Sequence, residues 1–180
     1  IFVPNLTLGP VVIEGIRKST HLPLDVHLQI IEPEKLIDDY IGAGADRLIF
    51  HAEACHHINR LVHQIKERGL KAGLAINPST PLSTLEEMLP DLDIVLLSSV
   101  NPGFSGQKFI PSVLRKLTKL RSLVDQNGYT AELELDGGMN ETTAPLATMA
   151  GATVLVAGSA VFNEDEPIAN ALSRLRNSLP

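Results

Sequence analysis

The chain has 180 residues, 44% of them hydrophobic, which is enough for one domain with a substantial core. It carries 15 Lys and Arg against 21 Asp and Glu, a formal net charge of -6, and only 4% aromatic residues, which argues against nucleic acid as a partner. The single cysteine, Cys55, excludes an internal disulfide and favours a reducing compartment, so we expect a cytoplasmic protein. The longest mostly apolar run, residues 153–162, is too short to span a bilayer, and no membrane association is expected.

Short apolar or β-branched runs alternate along the chain with segments of helical periodicity, the pattern of a parallel α/β fold. In chain order the predicted elements are helix 10–19, strand 24–30, helix 33–43, strand 47–53, helix 57–68, strand 71–77, helix 82–89, strand 93–100, helix 112–124, strand 130–136, helix 141–150, strand 153–159 and helix 165–177. No linker or low-complexity segment divides the chain. We therefore expect residues 1–180 to belong to a single domain.

A weak internal repeat supports this organisation. The segments "AGADRLIF" (43–50) and "AGATVLVA" (150–157) each end a predicted helix at a glycine and enter a predicted strand. The same helix-to-strand unit is therefore expected at least twice.

Polar residues inside two predicted strands bear on the architecture. They alternate as Asp25, His27 and Gln29 in one strand, and as Glu132, Glu134 and Asp136 in another. Central strands of an open doubly wound sheet are nearly all apolar, whereas the interior of a (β/α)₈ TIM barrel can carry polar side chains near its mouth. The barrel fits better, although the chain supplies about six of its eight strands. An unclosed barrel leaves sheet edges exposed, which favours association into a homo-oligomer.

Three predicted strands end in glycine-rich loops. They are "SVNPGFSGQKF" (99–109), with Gly103 and Gly106, then Gly137 and Gly138, and finally Gly158 with Ser159. Each is open to interpretation as an ordinary loop. Glycine lets the backbone approach an anion closely, and the loops after the last strands of such barrels often bind phosphate, so together they predict a phosphate site.

His27 and Asp136 are candidate metal ligands. A single histidine within a strand is often a hydrogen-bonded core residue, but a carboxylate across the same barrel mouth would suit a divalent transition metal such as zinc, iron or manganese. The segment "HAEACHH" (51–57) resembles a metal cluster at first, yet its residues divide between a strand end, a turn and a helix start. We expect only His51 to line a pocket there, and nothing in the sequence marks Cys55 as a nucleophile.

The segments "FVPNLTLGP", "LDVHLQI", "VNPGFSGQKF", "LELDGGMN" and "VAGSAVF" occur in an order and spacing that resemble the ribulose-phosphate 3-epimerase family, over all 180 residues. The resemblance implies a (β/α)₈ barrel that interconverts D-ribulose 5-phosphate and D-xylulose 5-phosphate by proton transfer at C3. Such inversion requires a base on each face of the substrate and an enediolate stabilised by a divalent metal.

The resemblance also implies roles for individual residues. Asp136 resembles an acid/base aspartate that is also a metal ligand, and His27 a second ligand. Glu134 corresponds to a supporting residue, while Gln29 and Ser98 stand where the family has pocket methionines. The residues at phosphate-binding positions are Gly103, Phe104, Ser105, Gly106, Gly137, Gly138, Gly158 and Ser159.

The sequence departs from the family pattern before "FVPN". There the family has its first strand and helix, most of its second strand, a ligand histidine and the second catalytic aspartate, none of which lies in these residues. If the protein starts at Ile1, we expect negligible turnover. The alternatives are a non-catalytic phosphate-binding barrel fragment and a paralogue acting on a six-carbon ketose phosphate. A sugar-phosphate lyase or decarboxylase is disfavoured because those families have a lysine in the acidic strand motif, where this chain has His27.

Overall fold

The computed structural model describes residues 2–3, 7–104 and 106–180. In chain order its helices and strands are α1 (Pro10–Ser19), β1 (Asp25–Leu28), α2 (Ile37–Gly42), β2 (Arg47–His51), α3 (Ile58–Glu67), β3 (Lys71–Ile76), β4 (Ile94–Ser98), α4 (Ser112–Asn127), β5 (Glu132–Asp136), α5 (Thr143–Met149), β6 (Val154–Val156) and α6 (Ile168–Asn177). The strands form one parallel sheet in the order β1-β2-β3-β4-β5-β6. The predicted parallel α/β fold is confirmed, with all six predicted strands present.

Some predicted elements differ in kind or length. The helix predicted over 82–89 is wrong, because the segment forms two isolated 3₁₀ turns, Leu82–Thr84 and Leu89–Asp91. The segment closes with three-residue turns, Leu85 N–H to Leu82 O and Met88 N–H to Leu85 O, both at 2.8 Å, and Pro90, which provides no N–H, prevents a helix from continuing beyond it. The last strand is also shorter than predicted and ends at Val156.

The sheet curls strongly about its own axis. In a flat sheet β1 and β5 would lie four strand spacings apart, about 19 Å. Nevertheless His27 Nδ1 on β1 lies 3.5 Å from Asp136 Oδ2 on β5. Two short side chains cannot bridge the flat distance, so the strands must bend round toward each other. The six strands therefore form a curled half-barrel, in agreement with the predicted TIM-barrel class.

The main hydrophobic core lies between the outer face of this sheet and the helices. Within the two segments predicted as helices 57–68 and 112–124, α3 buries Leu61, Val62 and Ile65, and α4 buries Val113, Leu117, Leu120 and Val124. They pack against outward side chains of the strands. Among the described helices, none is long and apolar enough to cross a membrane.

The inner face carries a smaller apolar layer beneath the polar mouth. Ile49, Ala75, Ile94 and Leu96 form a separate buried cluster there. Gly73 lies beside it, where an added Cβ would be 2.6 Å from Ile49 Cγ1. The lower half-barrel is therefore closely packed, and open space is left at the carboxyl ends of the strands.

The predicted repeat has a structural counterpart. Gly44 and Gly151 both have positive φ and both lie under an arginine stem from an earlier helix, since an added Cβ would be 2.6 Å from Cγ of Arg17 or of Arg121. Arg17 also donates hydrogen bonds to the carbonyl oxygens of residues 20 and 22 and pairs with Asp46 at 2.8 Å. The chain after α2 and the chain after α5 therefore each pack a glycine against the arginine side chain of a preceding helix.

Candidate active site

A cavity of about 280 Å³ opens where β4, β5 and β6 end. Seven of the eight residues predicted to bind phosphate line it, namely Gly103, Phe104, Gly106, Gly137, Gly138, Gly158 and Ser159. The eighth, Ser105, lies outside the described residues. Gln29 and Asp136 complete this part of the wall, so three glycine loops and a carboxylate meet at one place.

Gly137 and Gly138 allow two loops to press together at the cavity. Both have positive φ, of 115° and 65°. An added Cβ would lie 2.5 Å from Val100 Cγ2 in the first case and 2.9 Å from the Phe109 backbone nitrogen in the second. Any side chain would therefore force the loops after β4 and β5 apart.

Ser99, which the sequence analysis did not single out, fixes the backbone at Asp136. Its hydroxyl donates to the carbonyl oxygens of Asp136 at 2.8 Å and of Gly137 at 2.6 Å, and its own N–H donates to Asp136 O at 2.7 Å. A serine before a long loop is common in proteins, so nothing in the sequence gives a reason to select Ser99.

The loop after β4 is stabilised by Gln107, whose side-chain amide donates hydrogen bonds to the carbonyl oxygens of Asn101 and Phe104.

His27 and Asp136 face each other beside this cavity, at the 3.5 Å Nδ1 to Oδ2 distance given above. Two donor atoms bound about 2.1 Å from one tetrahedral cation lie about 3.4 Å apart, so the pair suits two positions around a divalent metal. In the described part of the chain no third His, Cys, Asp or Glu joins them as a ready metal cluster. These residues thus fit a cation as part of its coordination shell.

His27 continues into a hydrogen-bonded chain of side chains at the end of β2. Its Nε2 lies 2.8 Å from Nε2 of His51, and His51 Nδ1 lies 3.2 Å from Glu53 Oε2. Burial lowers the pKa of His51, whose side chain is fully enclosed. Although burial alone would raise the pKa of Glu53, hydrogen bonds from His51, the Asn77 N–H and Thr80 lower it to about 2.

Glu134 lies deeper, two residues before Asp136 on the same strand. It is only 3% exposed, and its Oε2 has no hydrogen-bond partner among the described residues. Burial, followed by the negative charges of Asp25 and Asp136, raises the pKa of Glu134 to about 8. Burial likewise raises the pKa of Asp25. The half-barrel thus holds a compact group of carboxyls that cannot all ionise easily.

Four residues were predicted to line the pocket. Gln29 lines the cavity, while Ser98, His51 and Glu134 are buried. Ser98 Oγ, like Glu134 Oε2, has no partner among the described residues. Of the "HAEACHH" segment, His56 and His57 are exposed and only His51 and Glu53 point into the hydrogen-bonded chain. The role of Glu53 was missed because its partners, Asn77 and Thr80, follow a different strand.

Comparison with known proteins identifies relatives of this chain. The family model described as "Ribulose-phosphate 3 epimerase family" matches residues 1–162. The ribulose-phosphate 3-epimerase of Bacillus subtilis is 51% identical over 178 residues, which cover 98% of this chain and 82% of that protein. The ribulose-phosphate 3-epimerase of Synechocystis is 49% identical over 179 residues, which cover 98% of this chain and 77% of that protein.

Solved structures support the fold. A 3-hexulose-6-phosphate synthase superposes with a TM-score of 0.74 at 20% identity, covering 95% of this chain and 81% of that one. The 3-keto-L-gulonate-6-phosphate decarboxylase of Vibrio cholerae superposes with a TM-score of 0.68 at 15% identity, covering 95% of this chain and 80% of that one. Both likenesses concern the barrel architecture alone. With half of its residues shared over most of the length of two epimerases, this chain belongs to the ribulose-phosphate 3-epimerase family of isomerase enzymes.

Proposed function

We propose that this protein interconverts D-ribulose 5-phosphate and D-xylulose 5-phosphate by moving the proton at C3. The observation that carries the proposal is the position of Asp136, whose carboxylate shares a cavity wall with three glycine loops. A sugar phosphate held by its phosphate in those loops would present its carbon chain to that carboxylate. The cavity of about 280 Å³ suits a small sugar phosphate, since sites for larger drug-sized ligands span roughly 300–1,000 Å³.

Asp136 would act as one of the two bases. A carboxylate on one face of the substrate removes the C3 proton, and an acid on the opposite face returns a proton to complete the inversion. Ser99 holds the backbone of Asp136 through two hydrogen bonds to its carbonyl oxygen and that of Gly137 through a third, so the backbone that carries the carboxylate is fixed before substrate arrives. Fixed orientation lowers the entropy cost of reaching the reactive geometry.

His27 and Asp136 would hold a divalent cation, zinc, iron or manganese. When bound, the cation would neutralise the negative charge that develops on the substrate oxygens as the proton leaves. The support in this chain is the close approach of an imidazole nitrogen and a carboxylate oxygen, described above. Glu134 beneath them would remain a supporting residue rather than a base, since its side chain is enclosed.

We further propose that the six-stranded sheet is part of an eight-stranded barrel, with two more strands between β6 and β1. These are the edge strands of the described sheet, and the helices that precede them in the chain expose large apolar side chains, including Val11 on α1 and Met149 on α5. An open edge and exposed apolar groups favour either further strands or association with another subunit.

Proton exchange tests the catalytic proposal. In heavy water, the protein with added Zn²⁺ or Mn²⁺ should incorporate deuterium at C3 of ribulose 5-phosphate, followed by proton NMR. Asp136→Asn should lower the exchange rate by roughly 10²–10⁴-fold, because a positioned acid/base group contributes that much. Asp165→Asn, at an exposed position, is the matched control and should exchange normally.

The same experiment separates the alternatives. Thermal stabilisation by ribulose 5-phosphate without any C3 exchange would replace the catalytic proposal with non-catalytic phosphate binding. A polar residue, Gln29, lines the cavity, and this observation favours a test of a six-carbon ketose phosphate as a second substrate. Faster exchange with the six-carbon compound would overturn the five-carbon assignment.

A further inference from the structure

Glu53 lies in the 3₁₀ turn Ala52–Ala54 directly after β2, away from the cavity wall, yet three donors hold its carboxylate. Oε1 accepts the backbone N–H of Asn77 at 2.8 Å and the hydroxyl of Thr80. Oε2 faces His51 Nδ1 at 3.2 Å. The loop after β3 thus fixes a carboxylate beside His51, which in turn contacts the proposed cation ligand His27.

The positions of the ring protons follow from these contacts. An ionised carboxylate can only accept, so His51 Nδ1 must carry a proton. A neutral His51 then offers a lone pair at Nε2, and the 2.8 Å contact requires His27 Nε2 to donate to it. His27, if neutral, is left with its own lone pair at Nδ1, on the side where Asp136 Oδ2 lies.

We propose that Glu53 is a positioning residue that acts through His51 to fix the tautomer of His27, leaving Nδ1 unprotonated beside Asp136. The inference deepens the proposed function and rests on it for the role of His27 as a cation ligand. The tautomer itself is a property of the metal-free chain and is tested separately.

The enclosure of His51 keeps this arrangement in place. The His51 ring is fully buried. Its centre lies 4.5 Å from the centre of the Phe2 ring and 4.9 Å from the centre of the His27 ring. Water therefore cannot take over as partner for either nitrogen. Glu53 therefore determines which nitrogen of His51 carries the proton, and His51 in turn determines which nitrogen of His27 carries it.

Substitution by glutamine gives an unusual expectation. The Asn77 N–H always donates, so the amide oxygen of Glu53→Gln must take the Oε1 position and its NH₂ must face His51 Nδ1. His51 Nδ1 would then have to accept, its proton would move to Nε2, and His27 would have to accept at Nε2 and carry its proton at Nδ1. Although glutamine is closest in shape to glutamate, it should invert both tautomers.

The experiment measures the tautomers directly, by long-range ¹H–¹⁵N NMR of the histidine rings in the metal-free protein at about pH 8, where an ordinary histidine is neutral. Wild type should show an unprotonated Nδ1 at His27, and Glu53→Gln a protonated one. Glu53→Ala, which imposes neither arrangement, should show a mixture. Thr80→Val removes one donor but keeps the carboxylate, and as the matched control it should give the wild-type spectrum.

Zn²⁺ affinity, measured by competition with a chelating dye, gives a second readout. Groups that orient a metal-binding histidine through hydrogen bonds are worth roughly 10–100-fold in affinity, so Glu53→Gln should lose about that much and Glu53→Ala less. A merely structural role predicts the reverse order, because glutamine preserves the side-chain shape. A protonated His27 Nδ1 in wild type, or an alanine variant that binds more weakly than the glutamine variant, would overturn the proposal.

These readouts do not depend on turnover. Expected tautomers in a protein without C3 exchange would refute the proposed function and leave the role of Glu53 intact. A wild-type protein that exchanges the C3 proton but has the opposite His27 tautomer would refute the role of Glu53 and leave the proposed function intact. The wild-type spectrum alone decides the matter if a variant fails to fold.

Discussion

Replacing the buried Glu134 with glutamine should stabilise the protein in a pH-dependent manner. The Glu134 carboxyl is 3% exposed, and burial with the charges of Asp25 and Asp136 raises its pKa to about 8. In the unfolded chain the same group has its ordinary pKa of 4.5. The folded state therefore holds a proton that the unfolded state releases above that value.

The sign and size of this pH dependence of the free energy of unfolding follow from proton linkage. A raised folded-state pKa gives stability that is complete below about pH 4.5 and lost as the pH rises toward about 8. Each pH unit between the two values removes about 1.4 kcal/mol, so the interval from about pH 5 to about pH 7 removes on the order of 3 kcal/mol. Glutamine does not titrate, and a Glu134→Gln variant lacks this loss.

Urea unfolding followed by circular dichroism, with EDTA present to keep the protein metal-free, measures the effect. The free energy of unfolding of Glu134→Gln relative to wild type should grow by on the order of 3 kcal/mol from about pH 5 to about pH 7. Glu86→Gln, at an exposed position, is the control and should show a constant difference near zero. A pH-independent difference for Glu134→Gln would refute the assignment of a protonated carboxyl inside the half-barrel.

Three further substitutions test the fold and the loops. Leu120→Ala, at a fully buried position of α4, should cost about 2–5 kcal/mol in urea unfolding with an unchanged m-value, and a smaller loss would contradict the core described above. Arg17→Ala should cost about 2 kcal/mol by losing hydrogen bonds to three carbonyls and a carboxylate, whereas the exposed Lys18→Ala should change stability by less than about 0.5 kcal/mol. Gly138→Ala should weaken binding of inorganic phosphate in calorimetry, because its Cβ would press on the Phe109 backbone; unchanged affinity would separate that loop from the anion site.

Local patterns account for the parts of the fold that were predicted. The buried faces of α3 and α4 follow from apolar residues at helical spacing, and the strands from short β-branched runs between turns. The helix predicted over 82–89 was wrong because the composition of the segment is compatible with a helix, whereas the segment forms separate turns that end at a proline. The glycine loops were recognisable because glycine after a strand is a local signal of close backbone approach.

The sequence by itself determined the parallel α/β order, the segments of helical periodicity and the candidates His27, Asp136 and the glycines, since each depends on residues close together in the chain. Only the tertiary structure decided how the candidates combine. Curling of the sheet brings β1 to β5, and only then does His27 meet Asp136 and the Glu134 carboxyl come to lie among other negative charges. The anchoring of Glu53 by the loop after β3 likewise joins residues on separate strands. No local pattern encodes these distances, because they arise from the packing of the whole half-barrel.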